Sequence, residues 1–185
     1  MSEHPVVDPV FGMKSRFWRE RDADGQEVQH IETVLEAGGG VTPHIHPSME
    51  ERFTVVEGRM EFLSGRRWVE AGPGEQVTVP PGTRHAFRNR SGGQATFRCE
   101  ARPPSSLQAF REDVAGLSRA GKLTKVGLPT PGGLLEAAVL VESYQDMVTL
   151  LFPAPPTPVQ RLVFGPLARV AERRGRRAGQ FATLG

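Results

Sequence analysis

The sequence predicts a mainly β chain: a barrel or sandwich of short strands, followed by about three α-helices. Two observations carry this. Between residues 28 and 100, β-branched and aromatic runs are cut by Gly, Pro, Ser and Asn every eight to twelve residues or so, the pattern of an antiparallel sandwich or barrel. Past Arg102-Pro103-Pro104, the apolar residues change to helical spacing.

The strands follow in order. Val28 to Leu35 is the first, and Arg52 to Glu57 is a second that Gly58 ends. Arg59 to Leu63 resumes it until Ser64-Gly65 turns the chain. Trp68-Val69 precedes the turn Ala71-Gly72-Pro73-Gly74. Gln76 to Val79 leads into Pro80-Pro81-Gly82, whose Pro and Gly pre-set a turn. His85 to Asn89 and Ala95 to Glu100 are two more strands, divided by Ser91-Gly92-Gly93.

The helices come next. Leu107, Phe110, Val114 and Leu117 form a stripe, Ser105 with Gln108 is spaced as a capping box, and Gly121 is placed to end the helix. Residues 127–133 are a Gly- and Pro-rich linker. Leu134 to Phe152 is apolar nearly all round, so a helix there must be covered on several sides. Thr157 and Pro158 are expected as N-cap and N1 of a third helix, with Gln160 at the capping-box position. Leu162, Val163, Leu167 and Val170 would be its apolar side, and Gly165-Pro166 should kink or split it. These helices either pack outside the barrel or across a dimer partner, the preferred expectation, or lid the open end of the barrel.

Four side chains carry the chemistry. His44 and His46 are two apart, so on a strand both imidazoles leave the same face. Glu51 follows within a short turn, and His85 comes from a later strand. Imidazoles with one carboxylate suit one divalent transition metal: Fe, Mn, Ni, Co, Cu or Zn. Glu51 is preferred over Glu50, which would face the other side of the strand. Parity then puts Phe53 and Val55 inward with Glu51, and Phe87 and Asn89 inward with His85. Met60 and Phe62 share one parity, and Gln76 or Arg98 could add polar contacts to the substrate pocket. Asn89 is expected to bond a turn or the barrel wall, and Cys99 to be a small buried hydrophobe.

The frame around the four is Gly38-x5-His44-x-His46-x4-Glu51-x6-Gly58, then Gly74-x5-Pro80-x-Gly82-x2-His85-x3-Asn89. These blocks resemble the two motifs of the cupin family. The 15-residue gap from Arg59 to Pro73 is similar to that of small bacterial members. The resemblance covers residues 38–89 and, by extension of the fold, 25–103. It implies a double-stranded β-helix, or jelly roll, with a metal inside the barrel. It leaves 1–24 as an amino-terminal arm and 104–185 as a helical extension. It does not imply one activity.

Composition bounds the rest. One cysteine excludes an internal disulfide framework and favours a reducing compartment. No basic stretch followed by an apolar run opens the chain, and no long apolar run could span a membrane, so a cytoplasmic protein is expected. Net charge is +2, yet residues 161–185 hold six arginines against Glu172, leaving −3 for the remainder. A basic tail can touch nucleic acid or anionic lipid, but arginines also favour the negative end of a helix dipole. The second reading is preferred, so no nucleic-acid partner is expected. Exposed barrel faces and surplus apolar helices suggest a homodimer.

Three function classes follow. The first is a metal-dependent enzyme, oxygenating a small oxygen-bearing substrate or isomerising or cyclising it through a metal-bound enolate, with Glu51 as candidate catalytic acid–base. The second is a non-catalytic binding or sensing protein for a small molecule. The third is an interaction protein whose metal stiffens the barrel.

Overall fold

The computed structural model describes residues 4–151 and 157–180. Ten strands precede the first helix: β1 (Val6–Asp8), β2 (Met13–Arg21), β3 (Glu27–Leu35), β4 (Gly40–Ile45), β5 (Glu50–Glu57), β6 (Met60–Ser64), β7 (Arg67–Ala71), β8 (Gln76–Val79), β9 (His85–Arg88) and β10 (Ala95–Arg102). Then come α1 (Leu107–Arg119), a 3-10 turn at Pro131–Gly133, α2 (Leu134–Tyr144), β11 (Thr149–Leu150) and α3 (Thr157–Arg173). The strands form two sheets, in the orders β1-β2-β3-β10-β5-β8 and β11-β4-β9-β6-β7. Every pairing is antiparallel. This is the jelly-roll sandwich with its helical extension.

Alternation builds the core. Along β5, Glu51, Phe53 and Val55 are buried, and along β10, Ala95, Phe97, Cys99 and Ala101 are buried. Phe53, Phe62, Phe87 and Phe97 meet between the sheets, with neighbouring ring centroids 4.9 to 6.5 Å apart, a spacing at which tilted aromatic pairs attract. The turn after β5 requires Gly58. Its φ is +78°, and a Cβ there would sit 2.7 Å from the Gln94 carbonyl oxygen.

The sheet begins earlier than residue 25. β1 and β2 lie in the stretch read as an arm, and β2 pairs with β3 from Met13↔Leu35 to Arg21↔Glu27. Buried Met13, Ser15 and Phe17 alternate with exposed Lys14 and Arg16, which is strand periodicity.

The second helix is shorter than the apolar run implied. α2 ends at Tyr144, whose carbonyl accepts from both Met147 N–H and Val148 N–H. Thr149 and Leu150 then pair with Ile45 and His44, adding β11 to the sheet beside β4. A short apolar stretch fits strand or helix equally by period, and here an open sheet edge takes it. Phe152 lies outside the described residues.

Two capping expectations fail. The Gln108 side chain reaches forward to Glu112 rather than back to the helix start, and Leu107 N–H donates to Ser105 Oγ at 3.2 Å. Gln160 Nε2 donates to the Leu150 carbonyl at 2.9 Å, and the Thr157 side chain lies outside the described residues. α3 runs unbroken through Gly165-Pro166. It packs on α2 through Phe164, Leu167, Ala168 and Ala171, while Leu162, Val163 and Val170 are exposed. Of the four residues expected on its apolar side, Leu167 packs on α2 and the other three face solvent.

α2 is covered on both sides. Leu140 and Tyr144 join the main core, and Ala138 and Val139 meet α3. Tyr144 Oη donates to buried Asp113 of α1 at 3.0 Å, and Gly179 N–H donates to the same oxygen. Buried Glu136 of α2 pairs with Lys122 and with Arg176, the latter at 2.9 Å. Among the described residues, no helix is long and apolar enough to cross a membrane.

Candidate metal centre

His44 on β4 and His85 on β9 are direct cross-strand partners, and their ring centroids are 4.1 Å apart. His46 lies one residue past the end of β4, 4.9 Å from His44 and 5.2 Å from His85 between centroids. Glu51 faces them from the other sheet, paired on its strand with Val79 and Ala101. One donor atom from each of the four lies within 4.8 Å of all the others. Glu50 instead pairs loosely with Arg52, at 3.9 Å.

Backbone carbonyls fix how the imidazoles face. His44 Nδ1 donates to Thr42 O at 3.0 Å, His46 Nδ1 to Met147 O at 2.8 Å, and His85 Nδ1 to Thr83 O at 2.9 Å. A carbonyl only accepts, so each Nδ1 carries the proton. A neutral ring then presents its Nε2 lone pair. This is how outer hydrogen bonds orient metal-ligating histidines.

The fit to a cation has a direct mark. His85 Nε2 lies 2.8 Å from Glu51 Oε2, yet neither atom has an aligned hydrogen-bond partner among the described residues. His46 Nε2 lies 3.7 Å from the same oxygen. Three donor atoms therefore crowd together without an aligned hydrogen bond for His85 Nε2 or Glu51 Oε2. Metal–ligand bonds of about 2.1 Å put neighbouring donors about 3 Å apart and opposite ones about 4 Å apart, close to the 2.8 and 3.7 Å separations of Glu51 Oε2 from His85 and His46. The residues present therefore suit a divalent transition ion.

Electrostatics agree. Burial first, then the neighbouring His85 and His46, holds the His44 imidazole down to about 3. Burial also lowers His46. Burial would raise Glu51, but contact with His85 and the charges of all three rings outweigh it and hold the carboxyl at about 2. Burial would lower His85, and the Glu51 carboxylate outweighs it and raises that ring. An anionic Glu51 among mostly neutral imidazoles is the protonation state a cation needs. Cys99 Sγ–H donates to Glu51 Oε1 at 3.7 Å, and burial, then the Glu51 charge, pushes this thiol well up. Cys99 is thus a neutral donor steadying Glu51.

A cavity of about 230 Å³ opens onto His44, His46 and Glu51, and its lining is mostly apolar. Residues 31–99 match the family model for the cupin domain. Those residues are a cupin domain. Among solved structures, the cupin chain is similar to a polyketide cyclase, RemF from Streptomyces resistomycificus (27% identity, 55% of this chain and 72% of that one, TM-score 0.41). It is similar to a sugar phosphate isomerase of the cupin superfamily from Silicibacter pomeroyi (26% identity, 53% and 68%, TM-score 0.44). It is also similar to Peruvianin-I, a cysteine peptidase from Thevetia peruviana latex (19% identity, TM-score 0.46), covering 54% of this chain and spanning 66% of that chain's length. No curated protein matches the sequence.

The cupin barrel distributes the expected pocket residues unevenly. Phe53 and Phe87 line the cavity. Val55, Met60 and Phe62 are buried in the core but do not line it. Gln76 and Arg98 are on the outside: Gln76 Nε2 donates to Thr54 Oγ1, and Arg98 pairs with Glu32 at 2.9 Å. Each alternates with inward residues, Gln76 with Val77 and Val79, Arg98 with Phe97 and Cys99, so strand parity turns both outward. Asn89 Nδ2 donates to the Leu35 and Gly93 carbonyls, a structural role.

Much of the cavity wall comes from elsewhere. α1 supplies Leu107, Phe110, Arg111 and Val114, α2 supplies Leu140, and the β1–β2 region supplies Asp8 and Phe11. The helices thus close over the barrel mouth instead of packing only outside it. Burying Leu107 and Leu140 against the barrel core removes their apolar surface from water, a favourable term that decides the placement. Arg111 had a sequence signal: it sits four after Leu107 and three before Val114, a charge inside an apolar stripe. Asp8 and Met147 had none.

Proposed function

We propose that this cupin is a metal-dependent enzyme acting on a small, oxygen-bearing organic substrate held in the cavity. The reaction is oxygenation, or isomerisation or cyclisation through an enolate. The observation that carries the reading is the convergence of three imidazole Nε2 atoms and one Glu51 oxygen at an apolar cavity.

His44, His46, Glu51 and His85 would hold the ion, which would supply Lewis acidity toward oxygen donors of the substrate. The chain's own groups do the rest. Phe53, Phe87 and Phe97 exclude water from the reacting centre, which strengthens every charge interaction there. Thr42, Thr83 and Met147 carbonyls keep the rings in one tautomer. Glu51 is the candidate group to take a proton at Oε2, with Cys99 steadying Oε1.

The test is oxygen consumption and product analysis with iron-loaded protein and a panel of diketones, phenols and keto acids. Turnover that disappears with His85→Ala supports the enzyme reading. Metal-dependent retention of a panel member without any chemical change would support the second reading, a binding or sensing protein.

A further inference from the structure

Arg111 reaches into the same cavity as the metal cluster. Its contacts among the described residues are with Met13 Sδ at 3.2 Å and Ser15 Oγ at 3.5 Å. A guanidinium carries five N–H donors in a fixed fork, and a thioether and a long hydroxyl contact satisfy them poorly. Burial pulls its pKa down, and the charges of Asp8 and Glu51 pull it back up. Asp8 does not close on it as an ion pair. The Asp8 Oδ1 is held by the Val10 and Phe11 N–H groups, while its buried Oδ2 has no hydrogen-bond partner among the described residues. Arg111 is therefore balanced from a distance rather than neutralised by contact.

Arg111 is half-buried, and a charge facing a mostly apolar cavity without a contacting counter-ion is costly. A carboxylate matches the guanidinium fork with two parallel N–H···O bonds, whereas a neutral amide offers one oxygen and a clashing NH₂. The rest of the wall is mostly aromatic and aliphatic, including Phe11, Phe17, Phe97 and Phe110.

We infer that the cavity selects an acid with an apolar body, and that Arg111 of α1 holds its carboxylate. This deepens the reading of the cavity given above and rests on it. Arg111 is a specificity residue, contributed by the helical extension rather than by the barrel. Asp8 Oδ2, which has no hydrogen-bond partner among the described residues, accepts a hydroxyl where the acid carries one.

The probes are trans-cinnamate and its neutral amide, cinnamamide, titrated calorimetrically into the full chain, both chelator-treated and manganese-loaded. Wild type should bind cinnamate about tenfold or more tighter than cinnamamide in both states, the scale of a lost charge-assisted hydrogen bond. Arg111→Gln should erase that preference while changing cinnamamide affinity less than about twofold, as expected when a donor is lost but the apolar contacts remain. Should Arg111→Gln melt below the assay temperature, Arg111→Lys decides: it keeps the charge but loses the fork, so the preference should shrink without vanishing. Equal binding of the two probes by wild type, binding of neither, or a preference that survives in Arg111→Gln overturns the assignment. A preference seen without metal stands even if the metal reading fails. Metal uptake with no Arg111-dependent preference would leave the metal reading intact and remove this one.

Discussion

His46 Nδ1 donates to the Met147 carbonyl at 2.8 Å, across 101 residues of chain. The helical extension thus reaches back and fixes a ring of the cluster. β11 follows two residues later and pairs with His44 and Ile45 on the same edge. Cluster and extension are mechanically one unit. Thr149→Pro, which removes a donor from β11, should weaken metal affinity by about tenfold or more, the usual cost of losing an outer hydrogen bond to a ligating histidine. Competition against a chelator reads this. Unchanged affinity would separate the two parts.

Glu51 is the anionic member of the cluster, and Cys99 steadies it. Glu51→Gln keeps the shape and removes the charge. Metal affinity should fall by well over tenfold, because an amide oxygen is a far weaker ligand for a divalent ion than a carboxylate. Cys99→Ala should lower it only slightly. A Glu51→Gln protein with wild-type affinity would show that the carboxylate is not a ligand.

The metal-free protein should lose stability on acidification. Folded His44, held at about 3, and folded His46, also lowered, refuse protons that the unfolded rings accept below their ordinary value of 6.5. Stability therefore falls as pH drops through that window. His85 opposes this: its raised value adds stability below 6.5 that fades as pH rises through its folded pKa. Glu51, held at about 2, contributes above its ordinary 4.5 and loses that contribution as pH falls further. His44 carries the large displacement, so the melting temperature of chelated protein should drop between pH 7.5 and 4, and His44→Gln should flatten the curve. A rise on acidification would contradict the assignment.

Glu136 is 2% exposed and carries both Lys122 and Arg176. Glu136→Ala removes the shared partner of two partly exposed cations and should cost about 2 kcal/mol in urea unfolding, the scale of hydrogen bonds to a charged group. A loss below about 1 kcal/mol would place this pair with ordinary surface bridges.

Strand parity made the barrel and its cluster legible. A period of two fixes which side chains share a face, so Phe53 and Phe87 could be read with Glu51 and His85. Parity also turns Gln76 and Arg98 outward, which residue type alone does not reveal. The extension was less legible for a physical reason. Leu134 to Phe152 is apolar on every face, so no period marks where helix stops, and the free edge of β4 decides it. The Met147 carbonyl is backbone and leaves no trace in residue type. Arg111 did leave one, as a lone charge within a helical stripe.

The most direct measurement is metal content by elemental analysis of the purified full chain, alongside single Ala variants of His44, His46, Glu51 and His85. The account predicts one divalent transition metal per chain in wild type and loss of most of it in each variant that still folds. Wild type that takes up no such metal when Fe, Mn, Co, Ni, Cu and Zn are each supplied, or variants that bind as well as wild type, would contradict it.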